Sequence, residues 1–474
     1  MLTSHRIPPA RWAVVALTLG LVGVTTGAPA APLEALVLPA YSAERAYGYL
    51  EVLAGQIGER AAGTEAEDRA VAYISGQFRA WGLHTTLQTV PVPVWHEKRA
   101  QLWAEGAHTA DFPAKAVVFS GLTPTTGLSG EFVDLGTASE RDLKDRDLKG
   151  KIVLIKRDVY IDYPDLYLTD KLVPRGVAGM IFYSGPGRSG IPTVYFNFKR
   201  ALREFTPPSV DISYEDAVRL VQMHPRRVHI TVDAEVSWHD SHSVIGEITG
   251  ASKPDEVVLL TAHDDTAYSS PGATDDGGGV AAVMELARAF AAGPKPARTL
   301  RFIAWGGHEL GLMGSETYLR ARPDEVAKVV AIINYDGLGS TLGTLEWTGT
   351  GDAPWFAFLS ATQTALGMNA NGTAGPSGTD VTNFSSLEVP GVQIGQAGSS
   401  GQNHTPADNL LTTSPIGLED GLAFAGAVAQ QLAFDPSQVF AHHFPPSLRD
   451  AVRDYAARWG WGVRPEGNQP PRVP

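Results

Sequence analysis

Five stretches of this 474-residue sequence carry side chains of the kind that bind metal ions. The first is His263-Asp264-Asp265. In extended chain, residues two apart point the same way, so Asp265 can stand behind His263 and accept its spare ring N–H. The second, Gly272-Ala273-Thr274-Asp275-Asp276-Gly277-Gly278-Gly279, sets two carboxylates at a helix start among glycines that leave room for close approach. Asp276 suits a helix cap there, and Asp275 a carboxylate that bridges two cations. The third, Gly306-Gly307-His308-Glu309, offers Glu309 as a ligand with His308 beside it. Asp336, closing an apolar run, is the fourth, and His404 in Asn403-His404-Thr405-Pro406-Ala407-Asp408 is the fifth. Taken singly, each is as ordinary as a solvated turn, a cap or a loop histidine. As an ordered set, His263, Asp275, Glu309, Asp336 and His404 give each of two cations one histidine and one terminal carboxylate, with an aspartate shared. Nitrogen and carboxylate ligands with open positions suit catalytic zinc, with cobalt or manganese as the alternatives.

Something must hold these groups together. Residues 257–262, 299–305 and 329–335 read as apolar strands, and a candidate ligand follows each of them. With a helix at 277–292 between the first two, the alternation predicts an α/β fold: a mostly parallel, mixed sheet flanked by helices. In open sheets of this kind, ligands bind outside the carboxyl ends of the strands. Further helices are expected at 43–57, 65–81, 315–320, 354–366 and 418–432, with strands at 85–94 and 391–395. Thr64 and Glu67 are spaced as a capping box for the second helix.

Between residues 98 and 237 the texture changes to short strand candidates (151–156, 180–183, 228–232) parted by Gly, Pro and Asp, with one helical segment at 168–175. This β-rich block holds no dense His/Asp/Glu cluster and is assigned no chemistry. The expected organisation is a discontinuous catalytic domain (31–97 and 238–440), an insert (98–237) and a C-terminal extension (441–474) whose Pro- and Gly-rich end is expected to be disordered. His442 and His443 in that extension read as surface residues.

Composition narrows the function. The formal net charge of -13 argues against a nucleic-acid partner, which needs a positive footprint. There is no cysteine, so disulfides, thiol catalysis and Cys-ligated metals are excluded. Residues 1–30 read as a signal peptide: His5, Arg6 and Arg11, an apolar run over 12–24, then Ala28-Pro29-Ala30 as a cleavage site. About 13 apolar residues are too few to span a bilayer comfortably, so the expectation is a secreted or periplasmic protein with no membrane span after cleavage. Nothing in the sequence specifies the number of subunits.

The ordered motifs resemble those of the co-catalytic zinc exopeptidase family, which includes secreted bacterial leucyl aminopeptidases and glutamate carboxypeptidases. The likeness rests on His263-X-Asp265, Gly272-Ala273-X-Asp275-Asp276-Gly277, Glu309-X-Gly311-Leu312-X-Gly314-Ser315, Asn334-X-Asp336 and His404-Thr405-Pro406-X-Asp408. Arg60-X-X-Gly63-Thr64-X-X-Glu67 is similar to the family's entry helices, and residues 98–237 resemble a protease-associated domain. The resemblance implies two zinc ions bridged by Asp275, one completed by His263 and Asp336, the other by Glu309 and His404. It also implies a cis peptide between Asp275 and Asp276, and peptides as substrates.

Two positions depart from the pattern. Where the family usually has a general-base glutamate, this chain has His308; with an ordinary pKa of about 6.5, an imidazole can take that part beside a metal-activated water. Before His404, where relatives often have tyrosine, stands Asn403, whose amide can serve as an oxyanion donor. Asp380 lies where relatives place substrate-side polar groups, and Trp347, Trp355 and Phe384 are either pocket walls or core. The implied activity is an aminopeptidase, with a carboxypeptidase or dipeptidase as the alternative. A catalytically silent, metal-binding recognition protein, like transferrin-receptor relatives, is a further alternative. A glutaminyl-cyclase-like acyl transferase is disfavoured by the insert and the double ligand set.

Overall fold

Val257, Val258, Leu259 and Leu260 are all buried, and they alternate between two apolar layers on opposite faces of one sheet. A strand covered on both faces reads as a continuous apolar run, which is why this stretch stood out in the sequence. The computed structural model describes residues 41–106, 109–157, 170–196, 206–398 and 401–462. The signal-peptide reading, the start of the 168–175 segment and the tail beyond residue 462 lie outside the described residues.

In chain order the strands are β1 (His84–Glu105), β2 (Thr109–Phe112), β3 (Lys115–Ala116), β4 (Leu128–Asp134), β5 (Ile152–Lys156), β6 (Gly179–Tyr183), β7 (Ser209–Asp211), β8 (Arg227–Ile248), β9 (Lys253–His263), β10 (Arg298–Trp305), β11 (Val329–Tyr335), β12 (Thr344–Thr350), β13 (Asn371–Ala374) and β14 (Gly391–Ala397). They join in the order β13-β12-β14-β11-β9-β10-β8-β4-β5-β6-β7-β3, with β1 alongside β8. At its centre β14, β11, β9 and β10 are parallel, and β8 and β12 flank them antiparallel. The expected mixed α/β sheet is therefore present. The helices Ala43–Leu50, Gly278–Ala292 and Pro415–Phe434 pack against one another over one face. Met313–Ala321 and Val381–Ser385 supply Tyr318, Leu319, Val381 and Phe384 to the other. Among the described residues, no helix is long and apolar enough to cross a membrane.

Several elements run longer than the sequence suggested. The strand expected at 85–94 continues to Glu105, and its partner β8 is equally long, so the expected boundaries at 97/98 and 237/238 fall inside paired strands rather than in linkers. Pro91 and Pro93 sit in β1 because its other edge is open over that stretch, where no ladder N–H is needed. The same ribbon borders a second apolar core, made chiefly of residues from 90 to 234. The 43–57 helix holds α geometry to Leu50 and then widens to a π-helical turn over Glu51–Ile57.

The capping box closes differently from the expectation. Thr64 Oγ1 accepts from Glu67 N (3.4 Å), but the Glu67 carboxylate accepts from Gly63 N (2.6 Å) and from the Ser241 hydroxyl. Glu67 is buried and thus ties the helix start to β8. The C-terminal extension contains a helix, Pro446–Trp459, in which Trp459 packs with Trp461 against Leu312. His443 is exposed, as expected, and His442 is half-buried.

Candidate metal centre

Register brings the candidate residues to one edge. Trp305 pairs with His263 across β10 and β9, and Asn334 pairs with Thr261 across β11 and β9. The chain beyond each strand therefore leaves the sheet at nearly the same level. Just beneath the edge, Thr261 Oγ1 donates to Asn334 Oδ1 (2.5 Å), and Asn334 Nδ2 donates to Gln393 Oε1 (2.9 Å). Gln393 Nε2 in turn donates to the Asp336 carbonyl at 3.0 Å. A buried polar row with its partners satisfied fixes the three strands at the place where the site begins.

Asp275 lies at the middle. Its Oδ1 is 3.1 Å from His263 Nε2, and its Oδ2 is 3.3 Å from His404 Nε2. His404 Nε2 is also 3.2 Å from Glu309 Oε2. Burial alone would raise the Asp275 pKa, but hydrogen bonds from the two histidines hold it well below the usual carboxylate range. Asp336 sits on the far side, its pKa pushed up to about 6 by burial and then by the Asp275 charge. All five residues singled out from the sequence thus line one cluster. Two overlapping triads, His263–Asp275–Glu309 and His263–His308–Asp336, have donor atoms within 4.8 Å of one another. Buried donors this dense suit a cation, because opposing charge lowers the cost of desolvating them.

The backbone around Asp275 is shaped for that position. The Asp275–Asp276 peptide is cis, as the resemblance implied. Asp408 accepts from Thr274 N (2.7 Å), Thr274 Oγ1 (2.7 Å) and Asp275 N (3.1 Å), holding the turn from below. Asp276 caps the Gly278–Ala292 helix through Gly279 N (3.1 Å) and also accepts from His263 N (3.3 Å) and Gly337 N (3.3 Å). Both expected roles at the glycine-rich turn are therefore compatible with the geometry. Arg60 is fully buried, and its guanidinium donates to the carbonyls of Asp264 (2.7 Å), Pro271 (2.7 Å) and Gly272 (3.0 Å).

One detail of the expectation at Asp265 changes. The His263 Nδ1 partner is the backbone carbonyl of Asp265 at 2.9 Å, while its carboxylate is 3.7 Å away. Only the shorter distance is a hydrogen bond. The carboxylate instead accepts from His308 N (2.9 Å) and Glu309 N (3.1 Å). Asp265 therefore orients His263 with its main chain and Glu309 with its side chain.

Residues 243–422, which contain all five candidate ligands, match the model of Peptidase family M28. The matched segment holds the motifs on which the resemblance to co-catalytic zinc exopeptidases rests. It is 25% identical over 395 residues to carboxypeptidase Q of Xenopus laevis, covering 78% of this chain and 82% of that protein. Aminopeptidase YwaD of Bacillus subtilis is 28% identical over 313 residues, or 64% of this chain and 63% of that one. Among solved structures, a peptidase M28 precursor from Shewanella amazonensis superposes with a TM-score of 0.74 at 26% identity, covering 85% of this chain and 96% of that one. A zinc aminopeptidase from Bacillus subtilis shares the fold with a TM-score of 0.69 at 23% identity, covering 86% and 99%.

Outside the M28 match, the chain adds contacts that sequence reasoning did not find. From the segment between β6 and β7, Thr193 N donates to the His404 carbonyl (2.8 Å) and Arg188 Nη2 to the Asn403 carbonyl (2.8 Å), while the Tyr195 ring meets the His404 imidazole edge-on. No His, Asp or Glu occurs over residues 184–196, so no chemical signal pointed to them. His308 lies in the cluster, its Nδ1 2.7 Å from Asp380 Oδ2 and its ring stacked on His263 at 3.8 Å. Burial and His263 lower its pKa, but the Asp380 and Asp336 charges outweigh them and push it up to about 9. Asp380 is fully buried and also accepts from the Ser315 hydroxyl, so it stands behind His308 rather than on the substrate side. Trp355 and Phe384 are core residues, whereas Trp347 borders a cavity of about 410 Å³ beside Asp336 and Asn403.

Proposed function

We propose that the chain is a zinc-dependent exopeptidase that releases residues from the amino ends of peptides, with two cations held by His263, Asp275, Glu309, Asp336 and His404. One observation carries the two-cation reading: the two oxygens of Asp275 face two different imidazoles, with Glu309 3.2 Å from His404 and a donor atom of Asp336 within 4.8 Å of His263. Zinc in such a site polarises a carbonyl and lowers the pKa of water to about 7, which supplies the chemistry of amide hydrolysis. The chain's own residues do the rest. Asp265 and Asp408 keep Glu309 and Asp275 aimed, and the 188–196 segment steadies His404. Asn403 lines the cavity, placed for its amide to meet a developing oxyanion.

The cavity supports amino-terminal specificity. Besides the ligand Asp336, its described lining includes the acidic Glu346 and neither lysine nor arginine. A free ammonium complements that lining, and a terminal carboxylate does not. Carboxypeptidase action is the second reading, favoured by the long alignment with the Xenopus laevis protein of that name. The basic and apolar leader at residues 1–30 supports export, and the separate core built from residues 90 to 234 supports an accessory domain near 98–237.

A panel tests this directly. The full chain, loaded with zinc, is given aminoacyl anilides, their N-acetylated counterparts, and dipeptides with free or amidated carboxyl ends. Cleavage of free-amine substrates with loss on acetylation is expected. Cleavage that ignores acetylation but is lost on amidation makes the enzyme a carboxypeptidase. No turnover of any member removes the hydrolase reading.

A further inference from the structure

Apart from the ligand Asp336, Glu346 is the charged residue in the described lining of the cavity, and it is exposed. Among the described residues it has no hydrogen-bond or ion-pair partner. Its polar neighbours are already engaged: Gln393 with Asn334 and the Asp336 carbonyl, Gln396 with the backbone amides of Gly339 and Ser340. Strand pairing fixes the side of the sheet on which Glu346 stands. In β12, Leu345 and Trp347 belong to the core that also holds Ile394, so the alternation sends Glu346 and Thr348 to the opposite face. There Glu346 pairs with Gly395 and Thr348 with Gln393, and all four line the cavity. A β-carbon on Gly395 would lie 2.6 Å from the Asp336 carbonyl oxygen. With glycine at that position, no side chain of residue 395 separates Glu346 from the ligand end of the cavity.

Distance decides which cation this carboxylate meets. Asp336 follows β11, and Glu346 lies in β12 with β14 between them, so their backbones stand about two strand spacings, roughly 10 Å, apart. The α-nitrogen of a substrate is two bonds from the carbonyl carbon under attack, about 2.5 Å, and stays beside the metal ligands. The four-carbon stem of lysine and the longer arm of arginine cross the remaining gap. We propose that Glu346 selects peptides whose first residue is lysine or arginine. The proposal rests on the amino-terminal exopeptidase reading above and names its substrate class. A side-chain cation that reaches Glu346 gains a charge-assisted hydrogen bond, which an apolar side chain of the same length cannot make.

The test compares side chains of like length. The zinc-loaded full chain and its Glu346→Gln and Glu346→Lys variants are given the 4-nitroanilides of lysine, arginine, norleucine and glutamate, and kcat/KM is measured for each. Wild type is expected to favour lysine and arginine over norleucine about tenfold, a preference that shrinks as salt screens the pair. In Glu346→Gln the lysine-to-norleucine ratio is expected to fall to about one, and in Glu346→Lys glutamate is expected to overtake lysine. A wild type that cleaves norleucine as well as lysine overturns the proposal, and so does a lysine preference that survives in Glu346→Gln. An equal fall for all substrates in Glu346→Gln also overturns it, by placing the carboxylate on the α-ammonium they share. In each of these cases the aminopeptidase reading stands. Failure of wild type to cleave any free-amine substrate removes both.

Discussion

The backbone N–H of Thr193 donates to the carbonyl of His404 at 2.8 Å, joining the second core to the candidate metal centre. His404 holds a φ of 60°, a conformation side-chain-bearing residues adopt only with support from their surroundings. Thr193→Pro, which deletes that N–H, is therefore expected to lower zinc affinity about 10- to 100-fold, the usual consequence of losing a partner behind a ligand. Thr193→Ala keeps the N–H and should bind like wild type. Calorimetric zinc titration of both checks the pair, and equal affinity in Thr193→Pro would refute the dependence.

Asp265 accepts two backbone amides, one on each carboxylate oxygen. Asparagine can accept only one and must turn its NH₂ toward the other N–H. Asp265→Asn is expected to lose about 1–3 kcal/mol of stability, the cost of a buried group left unpaired, together with zinc affinity. Urea unfolding and zinc titration measure the two losses, and a variant unchanged in both contradicts the assignment.

The chelated protein should lose stability as pH rises. Asp336 and Asp408 have folded-state pKa values raised to about 6, chiefly by burial, against about 3.9 when unfolded. A raised carboxyl contributes stability that is fully present below the unfolded value and lost through the folded one. Asp275, held low by its histidines, acts with the opposite sign and only at more acid pH. The melting temperature in chelator is thus expected to fall between about pH 4 and 6, and Asp408→Asn should flatten part of that slope. A flat profile in the wild-type chain would count against the buried carboxylates.

Gly278 begins the helix behind Asp275, and a β-carbon built there would lie 1.9 Å from the Leu338 carbonyl oxygen. A backbone atom cannot yield as a flexible side chain does. Gly278→Ala is expected to cost about 1–3 kcal/mol or more, read as a lower urea midpoint at unchanged slope. An unaltered midpoint would mean that the helix start has room to move.

The sequence by itself determined the parallel strands and the ligand candidates that follow them. Residues such as Val257, Leu259 and Leu260 form apolar runs only a doubly covered strand needs, and His263, Asp275, Glu309, Asp336 and His404 announce their chemistry by type and order. Strand register, a tertiary quantity, decided that these residues meet. Tertiary structure also decided what stands behind them: the Asp265 main chain rather than its carboxylate at His263, Asp380 at His308, and Thr193 at His404. The first and last of these act through backbone atoms, which leave no mark in residue type or spacing. Asp380 stood out by type, but only the fold sets its carboxylate behind His308.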